Sequence, residues 1–159
     1  MTCCQLPNRL DETAIVLETK MFETYRGIVY PQHEDHMGHM NVAWYTSKFD
    51  EATWHMLAHI GITPAYIREK NKGMAALEIT YKYLAEVSAG DLLVVRSEIK
   101  ELRDKTILFQ HTMFEAIDDT PVATMQAVGV HMDREIRKSC PFPAHVKERC
   151  ETLLLEPTT

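Results

Sequence analysis

One stretch decides the fold of this chain: Tyr30-Pro31-Gln32-His33-Glu34-Asp35-His36-Met37-Gly38-His39-Met40-Asn41, followed directly by Val42-Ala43-Trp44-Tyr45. An acidic residue precedes a glycine turn, and a histidine and an asparagine lead into a long apolar segment. Asn41 is a favourable helix N-cap, because its side-chain oxygen accepts a hydrogen bond from a free amide of the first helical turn. The order therefore places a carboxylate beside the unpaired amides of a helix N-terminus.

A helix is predicted from Val42 to Ile60, since this segment contains neither glycine nor proline. Gly61 suits the left-handed position just past a helix C-terminus. Apolar residues go most of the way round the predicted helix, which indicates burial on several sides. A single helix becomes that buried when a sheet curls around it. A second, short helix is predicted near residues 64–70.

Strands are predicted on both sides of the long helix. Pro31 ends the first of them. After the helix, the apolar side chains of residues 77–83 alternate with polar ones, which predicts a half-buried strand. Short turns join the later strands and predict an antiparallel meander. The predicted strands are 19–29, 77–83, 92–102, 106–117 and 122–132.

This order of elements predicts an α+β domain with an antiparallel sheet wrapped around one long helix. The domain is expected over residues 19–135. Residues 1–18 are expected to be an N-terminal lead-in, and residues 136–159 a C-terminal extension with a short helix near 144–154. Because exposed sheet edges favour pairing with another chain, a homodimer or homotetramer is expected.

Composition limits the kind of protein. The 159 residues are 45% hydrophobic, enough for one globular domain, and the net charge of -6 argues against a broad nucleic-acid surface. No apolar run approaches the roughly 18 residues of a membrane span, and residues 1–20 do not read as a secretory signal. We therefore expect a soluble cytoplasmic protein. Four cysteines, none of them in a C-x-x-C pair, are consistent with a reducing compartment: Cys3, Cys4, Cys140 and Cys150.

Asp35 is the strongest candidate for a catalytic group. Cleavage of an activated carbonyl needs a nucleophile or general base near the carbonyl carbon and donors where the oxyanion forms. The amides of Gly38, His39 and Met40 are expected to approach the helix start, where the helix dipole favours negative charge. The competing interpretation is that Asp35 only caps the turn.

Further candidates surround Asp35. His39 and Asn41 can orient a substrate or a water molecule, although a loop histidine and a helix cap explain the same two residues. Glu78 is predicted on the strand face opposite the aromatic residues. There it is either a second carboxylate in a site built by two subunits or a solvent-exposed glutamate.

Aromatic residues are concentrated in the same region, and most are expected to pack. A subset can form a cage for a quaternary ammonium group, which binds over aromatic faces. The residues that bind substrate are predicted to be Gly38, Met40, Trp44 and Tyr45. The full aromatic set is Trp44, Tyr45, Trp54, Tyr66, Tyr81 and Tyr83.

A metal site is not predicted. His55 and His59 stand at a spacing that suits zinc ligands, but Met56 follows His55 where a metalloprotease needs a glutamate. His33, His36 and His39 cluster in the loop without such a pattern.

These residues make the chain resemble a known family. The loop Asp35-x-x-Gly38-His39-x-Asn41, the helix after it, and segments 77–84 and 90–91 are similar to the 4-hydroxybenzoyl-CoA thioesterase-like hotdog superfamily over residues 20–135. Within that superfamily, residues 35–45 are most similar to the betainyl-CoA thioesterases of bacterial carnitine breakdown.

The resemblance implies a hotdog fold and cleavage of an acyl-CoA thioester to the free acid and coenzyme A. It implies no metal and no separate cofactor, since coenzyme A is part of the substrate. Asp35 takes the position of the family's catalytic aspartate, and residues 38–40 that of its carbonyl-binding helix start. The site is expected to be shared between two subunits.

The prediction is therefore an acyl-CoA thioesterase for a small acyl group, with betainyl as the specific substrate hypothesis. Asp35 acts as base or nucleophile, and the sequence leaves both routes open. One alternative is a hotdog hydratase or dehydratase. It is disfavoured because related hydratases carry Asp and His five positions apart, whereas Met40 stands there in this chain. The other alternative is a non-catalytic acyl-CoA-binding or partner-binding module.

Basic residues near turns are candidates for binding the phosphates of coenzyme A: Arg68, Lys70, Lys72, Arg103, Lys105, Arg134, Arg137 and Lys138.

Overall fold

The computed structural model describes residues 15–16 and 21–155, with side chains described over 21–153. A short 3-10 turn, Pro31–His33, precedes the longest helix. In chain order the elements are β1 (Ile15–Val16), β2 (Phe22–Ile28), α1 (Val42–His59), α2 (Pro64–Lys70), β3 (Lys72–Tyr83), β4 (Leu92–Leu102), β5 (Thr106–Glu115), β6 (Pro121–Asp133), β7 (Lys138–Ser139) and α3 (Ala144–Leu155).

The strands of the described chain form one antiparallel sheet. Its neighbours run in the order β4, β5, β6, β3. Both β1 and β2 pair with β4, and β7 pairs with β6. Short turns join β4 to β5 and β5 to β6, so the predicted meander is confirmed for these three strands. The predicted strand at 77–83 is part of β3, which pairs with β6 and not with β4, so its place in the meander is wrong. The edge of the sheet formed by β3 lies opposite the edge formed by β2.

Helix α1 lies against one face of this sheet and fills the centre of the core. Phe49, Ala52 and Met56 are fully buried along it. The ring of Phe49 lies 6.0 Å from that of Tyr81 on β3 and 6.1 Å from that of His111 on β5, so one side chain spans neighbouring parts of the sheet. This arrangement is the α+β architecture that the apolar circumference of the helix predicts.

The boundaries of α1 follow the local chemistry of its ends. Asn41 Oδ1 accepts a hydrogen bond from the Ala43 amide at 2.9 Å, which is the predicted N-cap. Gly61 has a φ of 98°, the backbone region that glycine occupies without strain. Strand β5 ends at Glu115, earlier than predicted, because Glu115 Oε2 accepts hydrogen bonds from the amides of Ile117 and Asp118 and turns the chain.

Strand β3 differs from the half-buried strand that the sequence predicts. It begins at Lys72, and Leu77 and Ile79 are 63% and 44% exposed. Two features explain the difference. β3 lies at the edge of the described sheet, and a β-bulge between Ala76 and Glu78 shifts the alternation of its side chains. The prediction of burial is therefore wrong for this segment.

The two ends of the chain are described unequally. The expected lead-in, together with Cys3 and Cys4, lies outside the described residues, apart from β1, which pairs with the end of β4. The predicted C-terminal helix is present as α3, and its Val146 and Cys150 are fully buried. Burial raises the pKa of the Cys150 thiol to about 12. Within the described residues no helix combines the length and apolarity that a membrane span requires.

Candidate active site

The loop before α1 folds as a tight hairpin. The Asp35 amide donates to the His39 carbonyl at 3.0 Å, and the Asn41 amide donates to the His33 carbonyl at 2.9 Å. Gly38 closes the turn, with its amide 3.1 Å from the Asp35 carbonyl and a φ of 80° that strains any other L-residue. The hairpin holds Asp35 and His39 side by side immediately before the helix.

The Asp35 carboxylate is anchored through one oxygen only. Its Oδ1 accepts a hydrogen bond from the Met37 amide at 2.8 Å. Its Oδ2 makes no hydrogen bond to the described residues, and the side chain is 16% exposed. One oxygen therefore fixes the orientation of the carboxylate, while the other is available to a substrate or a water molecule.

His39 lies between two carboxylates. Its Nδ1 is 4.0 Å from Asp35 Oδ1, and its Nε2 is 3.8 Å from Glu86 Oε1. Both separations exceed hydrogen-bond distance and suit a bridging water molecule. The arrangement can orient water or move a proton beside Asp35. Glu86 was not predicted, because it is remote in sequence and belongs to no recognisable motif.

The segment 84–91 holds the loop from the other side. The Met40 amide donates to the Val87 carbonyl at 2.8 Å, and the Ala89 amide donates to Glu34 Oε1, also at 2.8 Å. The Met40 side chain is 1% exposed. The expectation that the Met40 amide polarises a substrate carbonyl is therefore wrong, because docking of this segment already uses that donor.

Other donors remain at the helix start. The amide of Gly38 is used inside the hairpin, as that of Met40 is used by the segment 84–91. The amides of His39 and Val42, in contrast, make no hydrogen bond within the described part of the chain. They lie where the dipole of α1 favours negative charge. Stabilisation of an oxyanion at the start of α1 therefore depends on these two amides.

Two further candidates are not brought to the carboxylate of Asp35. The side chain of Asn41 caps α1, which supports the structural interpretation of that residue. Glu78 is exposed on β3, and no hydrogen bond or ion pair joins it to Asp35 within the described residues. Its role as a second carboxylate stays a prediction, and it requires another subunit.

Trp44 and Tyr45 pack against other aromatic rings and do not line the cavity described below, which runs along α1 beside β3 and β6. The Trp44 ring lies 4.0 Å from the His33 ring, between centroids. Tyr45 is 4% exposed and meets Tyr83 edge-on at 5.2 Å. The packing of both rings follows from their places on the first turn of α1, where Tyr45 is buried and Trp44 is 37% exposed. A contact between either ring and a substrate stays a prediction.

A cavity of about 520 Å³ runs along α1 beside β3 and β6. Small and apolar residues of the two strands form one wall, and Arg134 and Arg137 lie at the β6 end. Of the aromatic candidates, Trp54 and Tyr81 line this cavity. The α1 wall consists of Thr46, Asp50, Thr53, Trp54 and Leu57.

A chain of buried polar groups runs from this wall into the sheet. Thr53 Oγ1 lies 2.9 Å from His111 Nε2, and His111 Nδ1 lies 2.6 Å from Ser97 Oγ. Ser97 Oγ in turn lies 2.6 Å from Thr24 Oγ1. Burial lowers the pKa of His111 to about 3, so its ring is neutral near pH 7 and donates from only one nitrogen.

Known proteins resemble this chain in sequence. The family model for the Thioesterase-like superfamily matches residues 29–150. Betainyl-CoA thioesterase from Pseudomonas aeruginosa is 26% identical over 135 residues, which are 85% of each chain.

Solved structures share the fold. A Staphylococcus aureus protein solved in complex with CoA superposes with a TM-score of 0.81 at 21% identity, covering 93% of this chain and 92% of that one. A 1,4-dihydroxy-2-naphthoyl-CoA thioesterase from Synechocystis has a TM-score of 0.72 at 18% identity, with 82% and 96% of the two chains covered. The predicted hotdog fold is confirmed. Because the family model spans more than half of the sequence, the chain belongs to the thioesterase-like superfamily.

Proposed function

We propose that this chain hydrolyses the thioester of a small acyl-CoA and releases the free acid and coenzyme A. One observation carries the proposal: Asp35 has one anchored and one available carboxylate oxygen, next to an unpaired amide at the start of α1. Membership of a superfamily of thioester hydrolases supports the same reaction.

The geometry suggests how the reaction proceeds. The thioester carbonyl oxygen binds at the start of α1, where the amides of His39 and Val42 stabilise the negative charge that develops on it. Asp35 Oδ2 removes a proton from a water molecule that attacks the carbonyl carbon, or attacks the carbon itself to form an anhydride that water then opens. In both routes the carbon–sulfur bond breaks and the leaving thiolate takes up a proton that derives from water, which gives the free thiol of coenzyme A and restores Asp35. His39, held between Asp35 and Glu86, positions the water.

The proposal includes a second copy of the chain, as a homodimer or a homotetramer. Strand β3 ends the described sheet with Leu77 and Ile79 exposed, and such an edge is open to pairing with another strand. Pairing there covers both side chains and places Glu78 at the subunit boundary. Size-exclusion chromatography with light scattering measures the mass of the assembly. A monomer at micromolar concentration contradicts this part of the proposal.

Positive charge for the coenzyme A phosphates is proposed to come from Arg134 and Arg137. Both line the cavity, and neither guanidinium makes an ion pair with the described residues. An arginine without an acidic partner is available to bind phosphate, which it contacts through paired N–H groups.

The finer proposal concerns the acyl group. A short cationic group, betainyl, is supported by the similarity to the Pseudomonas aeruginosa enzyme and by the aromatic faces of Trp54 and Tyr81 in the cavity. Coenzyme A enters as part of the substrate, and the proposal requires no other cofactor.

The test is release of free thiol from a panel of acyl-CoAs: acetyl, betainyl and longer acyl groups. We expect Asp35→Asn to lower kcat by about 10²–10⁴-fold, the range that a positioned acid or base contributes. The amide keeps an oxygen that accepts from Met37, so the hairpin is expected to persist. Asp118→Asn, an exposed acid in the turn after β5, is the matched control and keeps full activity.

An unchanged kcat in Asp35→Asn contradicts the assignment. Tight binding of acyl-CoAs without thiol release favours the non-catalytic module instead. Hydration of an unsaturated acyl-CoA without thiol release favours the hydratase.

A further inference from the structure

The α1 wall of the cavity presents oxygen atoms that have no proton to donate. Thr46 Oγ1 donates to the Val42 carbonyl at 3.2 Å, and Thr53 Oγ1 donates to the Phe49 carbonyl at 2.8 Å. A hydroxyl has a single proton, so both threonines offer the cavity only lone pairs. Asp50 makes no hydrogen bond or ion pair with the described residues and, when ionised, is also an acceptor only. These three residues, Thr46, Asp50 and Thr53, are called the acceptor wall below.

The buried polar chain behind the wall fixes the direction of the Thr53 proton. If the Thr53 hydroxyl donates to Phe49, His111 must donate to Thr53 from Nε2 and accept at Nδ1 from Ser97, which then accepts from Thr24. In this direction every contact of 2.9 Å or less in the chain contains a proton, and the contact without one is the 3.3 Å approach of Thr24 Oγ1 to the Val95 carbonyl. In the reverse direction the 2.8 Å contact between Thr53 and the Phe49 carbonyl contains none, which opposes two lone pairs. The forward direction is therefore the favoured one.

Aromatic faces extend the negative character of this part of the cavity. Trp54 follows Thr53 on α1 and is 50% exposed, and Tyr81 lines the cavity from β3. The faces of both rings carry negative electrostatic potential and attract cations. The indole N–H of Trp54 is a neutral donor at the ring edge. The strong donors that line the cavity, Arg134 and Arg137, lie on the β6–β7 side and not on α1.

The wall lies in the direction in which an acyl group extends from the helix start, and longer acyl groups come nearer to it. Asp50 is eight residues beyond Val42, about 12 Å along the helix axis. Helical side chains lean towards the N-terminus, which shortens the distance from its carboxylate to the helix start. An acyl group whose carbonyl binds at the start of α1 therefore extends along the wall towards Asp50.

We propose that Asp50, supported by Thr53, selects acyl groups that end in a positive charge over neutral groups of the same shape. The inference rests on the proposed function, since it assigns the acyl end of the same substrate. An acceptor-only surface offers such a cation an ionic contact and dipoles oriented towards it, while it gives a neutral alkyl end only van der Waals contact.

The experiment compares two thioesters that differ by one atom. Betainyl-CoA carries a trimethylammonium group, and tert-butylacetyl-CoA carries carbon in place of that nitrogen. In a second pair, the acyl chain of each thioester is longer by two methylenes, which places its charged or neutral end farther along the wall. We expect the wild type to favour the cation in at least one pair by about tenfold or more in kcat/KM, which corresponds to about 1.4 kcal/mol.

Asp50→Asn keeps the shape of the side chain and removes its charge. We expect it to abolish the preference by lowering kcat/KM for the cationic thioester, with the neutral isostere changed by less than about twofold. Thr53→Val, which removes the acceptor at similar volume, reduces the preference by a smaller factor. Glu51→Gln is the matched control, because Glu51 is the adjacent acid on α1 and does not line this cavity. It leaves the ratio of the two substrates unchanged.

Two results overturn the inference: a wild type that cleaves both members of each pair equally well, or an Asp50→Asn variant that loses both activities in proportion. If neither thioester is cleaved, the proposed function fails separately. Calorimetry then measures the affinity of the protein for the thioesters of the same pairs, and this tests the inference. A cation preference that Asp50→Asn removes supports it, and equal affinities for the two thioesters overturn it.

Discussion

The hairpin loop precedes α1 and the acceptor wall lies along the same helix, but the two are built differently. In the loop, backbone hydrogen bonds to residues 33, 39 and 87 hold the chain, and one oxygen of Asp35 is itself fixed by an amide. On the wall, Asp50 has no partner within the described residues, and the hydroxyls of the two threonines donate to carbonyls of their own helix.

This difference indicates which part of the molecule determines the reaction and which part selects the substrate. Backbone bonds place the loop without reference to the acyl group, so the loop suits a reaction shared across a superfamily. Side chains of the wall can change without disturbing those bonds, so they suit discrimination between acyl groups. Four predictions test this division, in order of decreasing effect.

The largest effect is on stability at low pH and concerns the support behind the wall. Burial lowers the pKa of His111 from 6.5 to about 3, so between these pH values the unfolded chain binds a proton at this residue that the native chain does not bind. This contribution to stability is complete above pH 6.5 and is lost as the pH falls towards 3, by about 1.4 kcal/mol per pH unit. We expect His111→Gln to show a correspondingly smaller slope of unfolding free energy against pH.

Urea unfolding of both proteins between pH 6.5 and 4.5 measures the two slopes. Other histidines contribute equally to each protein, so the difference between the slopes isolates position 111. Equal slopes contradict a neutral, buried His111.

The next effect concerns the geometry of the loop. Gly38 has a φ of 80°, and a Cβ at this position meets no atom within 4 Å, so strain comes from the backbone alone. The left-handed region costs an ordinary L-residue about 1–2 kcal/mol, and asparagine tolerates it better. We expect Gly38→Ala to lower kcat by about tenfold and Gly38→Asn to lower it less. An alanine variant with full activity shows that the turn does not position Asp35.

An effect of similar size, on KM and not on kcat, is expected at the end of the cavity where Arg134 and Arg137 lie. Replacing Arg134 and Arg137 together with alanine removes two cations proposed to bind coenzyme A phosphates. We expect KM to rise by about tenfold at low salt with kcat nearly unchanged, since ground-state and transition-state binding are weakened equally. Added salt is expected to reduce the difference in KM between the variant and the wild type, because it screens the charges. The matched control is Lys147→Ala, an exposed cation that pairs with Asp104 outside the cavity. A fall in kcat with KM unchanged contradicts the phosphate assignment.

The smallest effect is on the helix cap. Asn41→Ala removes the acceptor for the Ala43 amide and costs about 1 kcal/mol, which corresponds to about 2–4 °C in Tm for a domain of this size. Asn41→Asp keeps a cap and is expected to retain the Tm. If Asn41→Ala loses activity far beyond its loss of stability, Asn41 contacts the substrate as well as the helix.

Sequence reasoning worked where the signal was local. The cap at Asn41, the glycine after α1 and the hairpin turn at Gly38 each depend on neighbouring residues, and each is found where predicted. The placement of Asp35 beside the helix start follows from the same local chemistry.

Sequence reasoning failed where segments that are distant in the chain meet. The Met40 amide is occupied by Val87, and Glu86 approaches His39, because the segment 84–91 docks on the loop. No local pattern encodes that docking. The exposure of Leu77 follows from the position of β3 at a sheet edge, which depends on the order of strands rather than on the strand's own residues.

The central claim is that the loop performs the reaction while the wall selects the acyl group. The most direct test measures kcat/KM for the cationic and the neutral thioester of each pair, betainyl-CoA with tert-butylacetyl-CoA and the pair longer by two methylenes. Wild type, Asp35→Asn, Asp50→Asn and the double variant are compared on the pair for which the wild type favours the cation. The account predicts that Asp35→Asn lowers both substrates by the same large factor, that Asp50→Asn lowers only the cationic one, and that the two effects multiply in the double variant. A loss at Asp35 that depends on the acyl charge, or a loss at Asp50 that does not, contradicts it.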